Sequence, residues 1–301
     1  MSIQRTIERA IATAKEKQAA RAELSPPADR PSPTLTTGAI SPTASATHTK
    51  QRQAVVKPTL KATGFPVVDL DLAVCAQNRI IVPGADTFLE ARAAAPYRML
   101  RTRLLHRVRS GGWTAIGLTS PGPSEGKSLT ALNLSLSIAR EMNSNVFLID
   151  LDLRNPSMAR YLGVTPPHSI AEFLSGGVSA EQALFSIGVE NLLLAGSTKG
   201  TPHSSELIAA GRHMELFAYI ASISPQPLIV VDLPPVLSTD EALVVAPQLD
   251  AVFMVIGEGV TRRDGLKRAV ELLSEFNLAG IILNKSQGVG QDYYSGAYDA
   301  T

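Results

Sequence analysis

Three short stretches of the sequence contain residue types that together could bind a nucleotide and transfer a phosphoryl group. The first, PGPSEGKS, spans residues 121–128; VFLIDLDLR contains Asp150 and Asp152, and LIVVDLPPV contains Asp232. Each lies where an apolar run predicts the end of a buried strand. Lysine and backbone N–H groups bind phosphate, whereas carboxylates and hydroxyls hold Mg²⁺. The three stretches therefore indicate a nucleotide site with a metal ion.

The first stretch has the form of a phosphate-binding loop, because Gly-Lys-Ser follows a predicted strand and opens a predicted helix. The pattern is not the usual one, since Pro121 stands where the first glycine is expected and Gly122 follows one residue late. A loop of this composition before a helix also occurs without a nucleotide. We expect Lys127 to reach the β- and γ-phosphates and Ser128 to ligate Mg²⁺. The residues predicted to bind the nucleotide in this loop are Gly122, Pro123, Ser124, Glu125, Gly126, Lys127, Ser128 and Leu129.

The two carboxylate motifs are weaker signals when each is taken alone. Asp150 and Asp152 are two residues apart, so an extended chain places both on one face. Such a pair can hold Mg²⁺ and accept a proton from an attacking hydroxyl, although acidic residues also simply terminate strands. Asp232 has the form of the Walker B carboxylate, which coordinates Mg²⁺ through water. We predict that the catalytic residues are Lys127, Asp150 and Asp152, and that the metal ligands are Ser128, Asp150, Asp152 and Asp232.

The elements that must position these residues are predicted from the alternation of apolar strands with helices after Trp113. Short apolar strands between helices are typical of a parallel sheet covered on both faces, and ligands bind at the carboxyl ends of its strands. We therefore predict an α/β fold of the P-loop NTPase type, with a mostly parallel sheet and helices on both faces. Two of its helices are expected at residues 205–223 and 262–276.

The 301 residues divide into four predicted parts. Residues 1–23 are predicted to form an amphipathic helix, either loose on the surface or docked on a partner or membrane. Residues 24–64 are rich in Pro, Ser, Thr and Ala and predict a disordered linker. Residues 65–290 form the predicted P-loop domain, and residues 291–301 a flexible tail. Half of the chain's six tyrosines lie in that tail: Tyr293, Tyr294 and Tyr298.

Composition excludes several other classes of protein. The net charge of +1 gives no general attraction to nucleic acid, and we expect no nucleic-acid partner. Cys75 is the only cysteine, which excludes an internal disulfide, a thiolate zinc site and a cysteine-bound iron–sulfur cluster within one chain. No apolar run approaches the roughly 18 residues that a membrane span needs, and the first residues are too charged for a signal peptide. We therefore expect a cytoplasmic protein.

Together these motifs resemble those of the bacterial tyrosine kinases, the autophosphorylating ATPases of capsule and exopolysaccharide export in the MinD/ParA branch of P-loop proteins. The resemblance runs from about residue 95 to residue 286 and includes YRMLRTRLL, VVDLPPVLSTDEAL and GIILNKS. Its most specific element is Asp-x-Asp-x-Arg after an apolar strand. The resemblance implies that ATP and Mg²⁺ are bound, that Asp150 is the base, and that Asn284 reads the adenine edge.

The resemblance also implies partners and a mode of regulation. The tail tyrosines would accept phosphate in trans within a homo-oligomer such as a ring. A separate integral-membrane protein that controls polysaccharide chain length (a co-polymerase) would activate the kinase at the inner face of the plasma membrane. A cognate tyrosine phosphatase would remove the phosphate. Phosphorylated tails would repel one another, since each phosphate carries roughly −1.5 to −2 charges at pH 7.

One predicted helix contains Pro96 in its first turn and carries Arg98 and Arg101 one turn apart, which we expect at an oligomer interface. A solvated basic face and a nucleic-acid contact are the alternatives. The family's helix carries a glutamate three residues before the first arginine, which pairs across subunits, whereas this chain has Ala95. Ring assembly of the family type is therefore in doubt.

Two other functions remain open at this point. A MinD- or ParA-like positioning ATPase usually carries an extra lysine where Gly122 stands here, and it lacks a tyrosine tail. A nucleotide-binding scaffold without kinase activity is favoured by Ala95. The intact Lys127, Asp150, Asp152 and Asp232 argue against such a scaffold.

Overall fold

The computed structural model describes residues 64–82, 88–141 and 145–286, and of residues 88–92 it describes the backbone alone. The predicted N-terminal helix, all but the last residue of the predicted linker and the tyrosine tail lie outside these ranges. The predicted division into four parts therefore stays a prediction. No helix in the described ranges is long and apolar enough to cross a membrane.

A parallel sheet of six strands forms the centre of the described part of the chain. Its order is β3-β2-β4-β1-β5-β6, and every neighbouring pair is parallel. The strands are β1 (Ala115–Thr119), β2 (Asn145–Asp150), β3 (Leu192–Ala195), β4 (Pro227–Asp232), β5 (Ala251–Gly257) and β6 (Leu278–Asn284). This arrangement confirms the predicted α/β fold.

Helices cover both faces of the sheet and form two separate cores with it. The helices on one face are α1 (Leu72–Gln77), α2 (Phe88–Gly111), α3 (Lys127–Ala139) and α4 (Met158–Leu162). On the other face lie α5 (Ile170–Leu174), α6 (Ser204–Ala209), α7 (His213–Ile223), α8 (Glu241–Val245) and α9 (Arg263–Leu273). A 3₁₀ turn, Ala246–Gln248, follows α8.

The inner strands are apolar between their ends because both of their faces are buried. In β2, Phe147 and Ile149 pack into one core, whereas Val146 and Leu148 pack into the other. Side chains of a strand alternate between its faces, so a strand covered on both sides has no position for exposed polar residues. Polar residues are confined to the two ends of such a strand, and in β2 these are Asn145 at its start and Asp150 at its end.

Two sequence-based expectations about helices are corrected. Residues 205–223 do not form one helix, because α6 ends at Ala209 and α7 begins at His213. Gly211 lies between them with φ of 76°, a left-handed conformation that favours glycine and ends a helix. Pro96 does not lie in the first turn of its helix, because α2 begins at Phe88. The proline removes one backbone hydrogen bond inside this long helix, which nevertheless continues to Gly111.

Candidate functional site

The phosphate-binding motif connects β1 to α3 at the carboxyl edge of the sheet. Helix α3 begins at Lys127, and Gly126 before it has φ of 89°. A Cβ atom at Gly126 would collide with the side-chain amide of Asn284, so glycine is required for conformation and for space. No side chain caps α3, and the N–H groups of its first turn therefore remain available to an anion. Ser128 and the half-buried Leu129 lie in this first turn.

A buried glutamate shapes the interior of the loop. Glu125 is only 4% exposed, and its Oε1 accepts a hydrogen bond from the Gly122 N–H at 3.2 Å. Ser120 Oγ donates to the Gly122 carbonyl at 2.7 Å, so both backbone polar groups of Gly122 are held. Burial raises the pKa of the Glu125 carboxyl, and hydrogen bonds from Thr261 and the backbone partly oppose that rise. Glu125 therefore organises the loop, which adds a structural role to its predicted place beside the nucleotide.

The tip of the loop, formed by Pro123 and Ser124, is exposed. Ser124 has φ of 61°, a left-handed conformation that costs a non-glycine residue about 1–2 kcal/mol. Glycine would adopt this conformation without that cost. Ser124 is therefore a strained position in the loop.

The end of β6 fastens the loop from the side. Asn284 Nδ2 donates to the Glu125 carbonyl at 3.0 Å, and Lys285 Nζ donates to the Ser124 carbonyl at 2.7 Å. The Asn284 amide is thus engaged with the loop backbone, and its predicted contact with adenine stays a prediction. Sequence reasoning missed Lys285, although the Asn-Lys pair at the end of the last apolar strand was a usable signal.

Lys127 lies at the centre of the predicted catalytic group. Its Nζ is 2.8 Å from Asp152 Oδ2 and 3.1 Å from Asp232 Oδ1, and it also donates to Ser128 Oγ at 3.0 Å. The side chain is 7% exposed, and such burial alone would lower the pKa of Lys127. The surrounding carboxylates outweigh burial and raise that pKa, so Lys127 stays charged. The structure therefore brings together residues that are up to 105 positions apart in sequence.

Asp150 lies beneath this group and is fully buried. Its carboxylate accepts hydrogen bonds from the backbone N–H groups of Asp152 at 3.1 Å and of Ser157 and Met158 at 3.2 Å each. Burial, together with the negative charge of Asp232, raises the pKa of Asp150 to about 7. A fixed carboxyl group that titrates near neutral pH is suited to accept a proton.

Asp232 supplies an open coordination position. In the sheet register it lies directly beside Asp150, because β4 is the neighbour of β2. Burial raises the pKa of Asp232, while the charge of Lys127 opposes that rise. Its Oδ2 atom is buried without a hydrogen-bond partner among the described residues. Such an atom is rare in a native structure, and it fits a position that Mg²⁺ or its bound water would occupy.

The oxygen ligands that the site offers also fit Mg²⁺. No group of three or more His, Cys, Asp or Glu side chains in the described ranges forms a ready-made metal cage. Mg²⁺ seldom uses such a cage, since it keeps several waters and binds one or two carboxylates together with substrate phosphates. Ser128 and Asp232 are the residues that offer this partial set, and Asp150 and Asp152 stay predicted ligands.

The predicted interface arginines lie apart from this site. Arg101 Nη1 donates to the Ser137 carbonyl at 2.9 Å, and its Nε is 3.2 Å from Glu141 Oε1. Ser137 is ten residues beyond Lys127 along α3, or about 15 Å at the helical rise. Arg98 is exposed. The predicted acceptors Tyr293, Tyr294 and Tyr298 lie outside the described residues.

The sequence is similar to two curated bacterial proteins. Tyrosine-protein kinase YwqD of Bacillus subtilis is 29% identical over 190 residues, which are 62% of this chain and 79% of YwqD. Tyrosine-protein kinase CpsD of Streptococcus pneumoniae is 28% identical over 176 residues, which are 56% of this chain and 75% of CpsD. No family model matches the chain.

The fold is similar to that of solved kinase domains. The crystal structure of the VpsO kinase domain superposes with a TM-score of 0.59 and 26% sequence identity. That match covers 67% of this chain and 100% of the VpsO chain. The similarity therefore includes the whole of a solved kinase domain and the greater part of the chain described above.

Proposed function

We propose that the chain, which is similar in sequence and fold to bacterial tyrosine kinases, is an ATP-dependent autokinase that phosphorylates its C-terminal tyrosine cluster in trans. One observation carries the proposal: Lys127 and three buried carboxylates converge beside the uncapped first turn of α3. This arrangement offers positive charge and N–H groups to the phosphates, and carboxylates to a metal ion and a proton. Phosphoryl transfer needs positioning and charge stabilisation more than covalent chemistry.

Binding of ATP would redistribute the contacts of Lys127. In the structure Lys127 Nζ is held by Asp152 and Asp232, and the phosphates of ATP are competing anions. We propose that Lys127 turns towards the β- and γ-phosphates while Ser128 and Asp232 bind Mg²⁺. Bound Mg²⁺ supplies positive charge that neutralises the phosphate oxygens. The N–H groups at the start of α3 hold the phosphates from the other side.

Asp150 is the proposed base. The γ-phosphoryl group passes to the tyrosine Oη, ADP leaves, and the proton of that hydroxyl passes to the Asp150 carboxylate. With a pKa of about 7, Asp150 is substantially ionised at neutral pH and still basic enough to take a proton. Its three backbone hydrogen bonds fix the carboxylate before the substrate arrives.

The cellular role that we propose rests on the resemblance. Autophosphorylation would regulate polymerisation and export of a capsule or exopolysaccharide at the inner face of the plasma membrane. A separate integral-membrane co-polymerase would activate the kinase, and a tyrosine phosphatase would reverse the modification. The kinase subunits would assemble through the α2 surface that carries Arg98 and Arg101.

Phosphopeptide mass mapping of the purified full-length protein tests the kinase proposal. Wild type, Lys127→Ala and Lys267→Ala would each be incubated with Mg-ATP and mapped; Lys267 is exposed on α9, so its variant is a matched control. We expect phosphate on the tail tyrosines of wild type and Lys267→Ala, and a loss of at least a hundredfold in Lys127→Ala, since the phosphates lose their main charged contact.

The negative outcome is equally informative. An unmodified tail in the wild type, even after addition of a cytoplasmic extract of the source cells, would refute the autokinase proposal. Nucleotide binding without tail phosphorylation would then favour a positioning ATPase or a scaffold.

A further inference from the structure

A second candidate site lies between α2 and the C-terminal half of α3. It is a cleft of about 280 Å³ that three arginines help to line, and we call it the arginine cleft. Its charged lining residues are Arg98, Arg101 and Arg140. Tyr97, Asn133 and apolar side chains complete the walls, and none of the described residues that line it is acidic.

Two of the three positive charges in the arginine cleft are uncompensated. Arg101 is paired with Glu141, which lies just outside the cleft. The side chains of Arg98 and Arg140 are exposed and make no hydrogen bond or ion pair with any described residue. Two free guanidinium groups at one cavity repel each other unless an anion lies between them. Guanidinium groups bind phosphate in a bidentate manner, so the cleft favours a phosphate dianion.

The floor of the cleft is rigid and already hydrogen-bonded. Asn133 Oδ1 accepts from the Ile81 N–H at 2.8 Å, and Asn133 Nδ2 donates to the Arg79 carbonyl at 3.0 Å. Burial raises the pKa of Tyr97, and its side-chain hydrogen bonds with Asn133 and Thr130 partly oppose that rise. Tyr97 is therefore a neutral aromatic wall. The arginines are therefore the residues that can bind an anion. The ring of Tyr97 and the apolar walls can pack against an aromatic group.

The size of the cleft limits what it can hold. Sites for whole small molecules usually enclose about 300–1,000 Å³, so this cleft is suited to one side chain rather than to a nucleotide. A phosphorylated tyrosine carries roughly −1.5 to −2 charges at pH 7, which matches two free arginines. We propose that the arginine cleft binds a phosphotyrosyl side chain of the tail, an inference that rests on the proposed kinase function as the source of that group.

The chain's own tail is long enough to reach the cleft. Asn284 contacts the loop before α3, and the cleft lies 7 to 14 residues further along α3 than Gly126, or about 10–21 Å. Tyr293 is seven positions beyond Ser286, and that length of chain spans at most about 25 Å. The phosphotyrosine can therefore come from the same chain or from a second copy. A phosphorylated tail on α2 would occupy the surface proposed for subunit contacts, so it would oppose assembly.

Fluorescence anisotropy with synthetic peptides tests the proposal without any kinase activity. The probe is a labelled peptide of residues 287–301, phosphorylated on Tyr293 or unphosphorylated, titrated with dephosphorylated full-length protein. We expect the phosphopeptide to bind at least tenfold more tightly. Arg98→Gln and Arg140→Gln should each weaken its binding at least fivefold, whereas Arg103→Gln, an exposed arginine of α2 outside the cleft, should not.

Three results would overturn the proposal. They are equal affinity for the two peptides, unchanged binding in both cleft variants, or equal competition by inorganic phosphate and free phosphotyrosine. The Lys127→Ala protein must bind the phosphopeptide as the wild type does, since loss there would assign the binding to the P-loop. Because the peptide is phosphorylated chemically, an inactive kinase would leave this test intact.

A last measurement identifies the source of the phosphotyrosine. Protein phosphorylated on its own tail is titrated with the labelled phosphopeptide at several protein concentrations. Competition that does not depend on protein concentration indicates the chain's own tail, and competition that increases with concentration indicates a second copy. Competition of either kind that Arg98→Gln abolishes supports the cleft, and absence of competition contradicts it.

Discussion

Asp150 shows how strongly the surroundings of one residue change its chemistry. Burial and the charge of Asp232 raise its pKa from 3.8 to about 7, so the folded protein keeps the Asp150 proton over a range where the unfolded chain has lost it. Between pH 4 and 7 the unfolded state therefore binds fewer protons than the folded state. The contribution of Asp150 to the stability of the protein falls as the pH rises through this window. The ionised base is thus a source of instability in the nucleotide-free protein.

Replacement of Asp150 by asparagine should remove this penalty. Urea unfolding of Asp150→Asn and wild type between pH 5 and pH 8 would measure the difference in unfolding free energy. We expect the variant to gain about 2–3 kcal/mol relative to wild type over that range, since each unit of pKa shift is about 1.4 kcal/mol. Asp264→Asn, at an exposed position of α9, is the control and should show no such trend. If the unfolding free energies of Asp150→Asn and wild type changed with pH in parallel, the raised pKa of Asp150 would be contradicted.

At the scale of elements, the contact between β6 and the phosphate-binding loop decides how rigid the site is. Asn284→Ala removes the hydrogen bond to the Glu125 carbonyl. It should weaken the binding of ATP and the binding of GTP about equally. The expected loss is about 1 kcal/mol, or roughly fivefold in affinity. Isothermal titration with both nucleotides would measure it. Asn277 lies just before β6, and Asn277→Ala breaks a comparable bond to the Asp250 carbonyl, which should leave affinity unchanged.

The same titration decides between two roles of Asn284. A loss confined to ATP would show that the amide reads the adenine edge, as the resemblance implies. Equal losses for both nucleotides would instead support its role in fastening the loop.

The elements also show what the sequence could predict. Buried strands such as β2 and β5 were predictable, because a run of seven or fewer mostly apolar residues between helices is typical of a buried strand in a parallel sheet. The approach of Lys127 to Asp152 and Asp232 was not, because it depends on strand order, which no local pattern encodes. The arginine cleft was missed for the same reason, since α2 and α3 form it only when packed together. Gly211 was a visible signal for the break between α6 and α7.

At the scale of the whole molecule, transfer between subunits is expected. Asn284 lies against the loop before α3, so a tail tyrosine of the same chain must fold back sharply to enter its own site. A loop of so few residues closes poorly, whereas a neighbour's tail can approach in line. We therefore predict that a chain with Tyr293, Tyr294 and Tyr298 changed to Phe will phosphorylate the tail of Lys127→Ala protein. Mass mapping of the mixture would detect this.

The kinetics provide a second check on transfer between subunits. The initial rate of wild-type autophosphorylation per molecule should increase with protein concentration. A rate per molecule that stays constant on dilution, with no phosphate on Lys127→Ala protein in the mixture, would establish transfer within one chain instead.

The position of β4 between β2 and β1 has a consequence for how the protein is made. A ribosome releases β1, α3, β2 and β3 before residues 227–232 exist, so the nascent sheet has a gap at its centre. Until β4 fills that gap, Lys127 lacks its contact with Asp232, which lies 105 positions later in the sequence. We therefore expect a growing chain to hold ATP weakly, and kinase activity to appear only after β4 has entered the sheet.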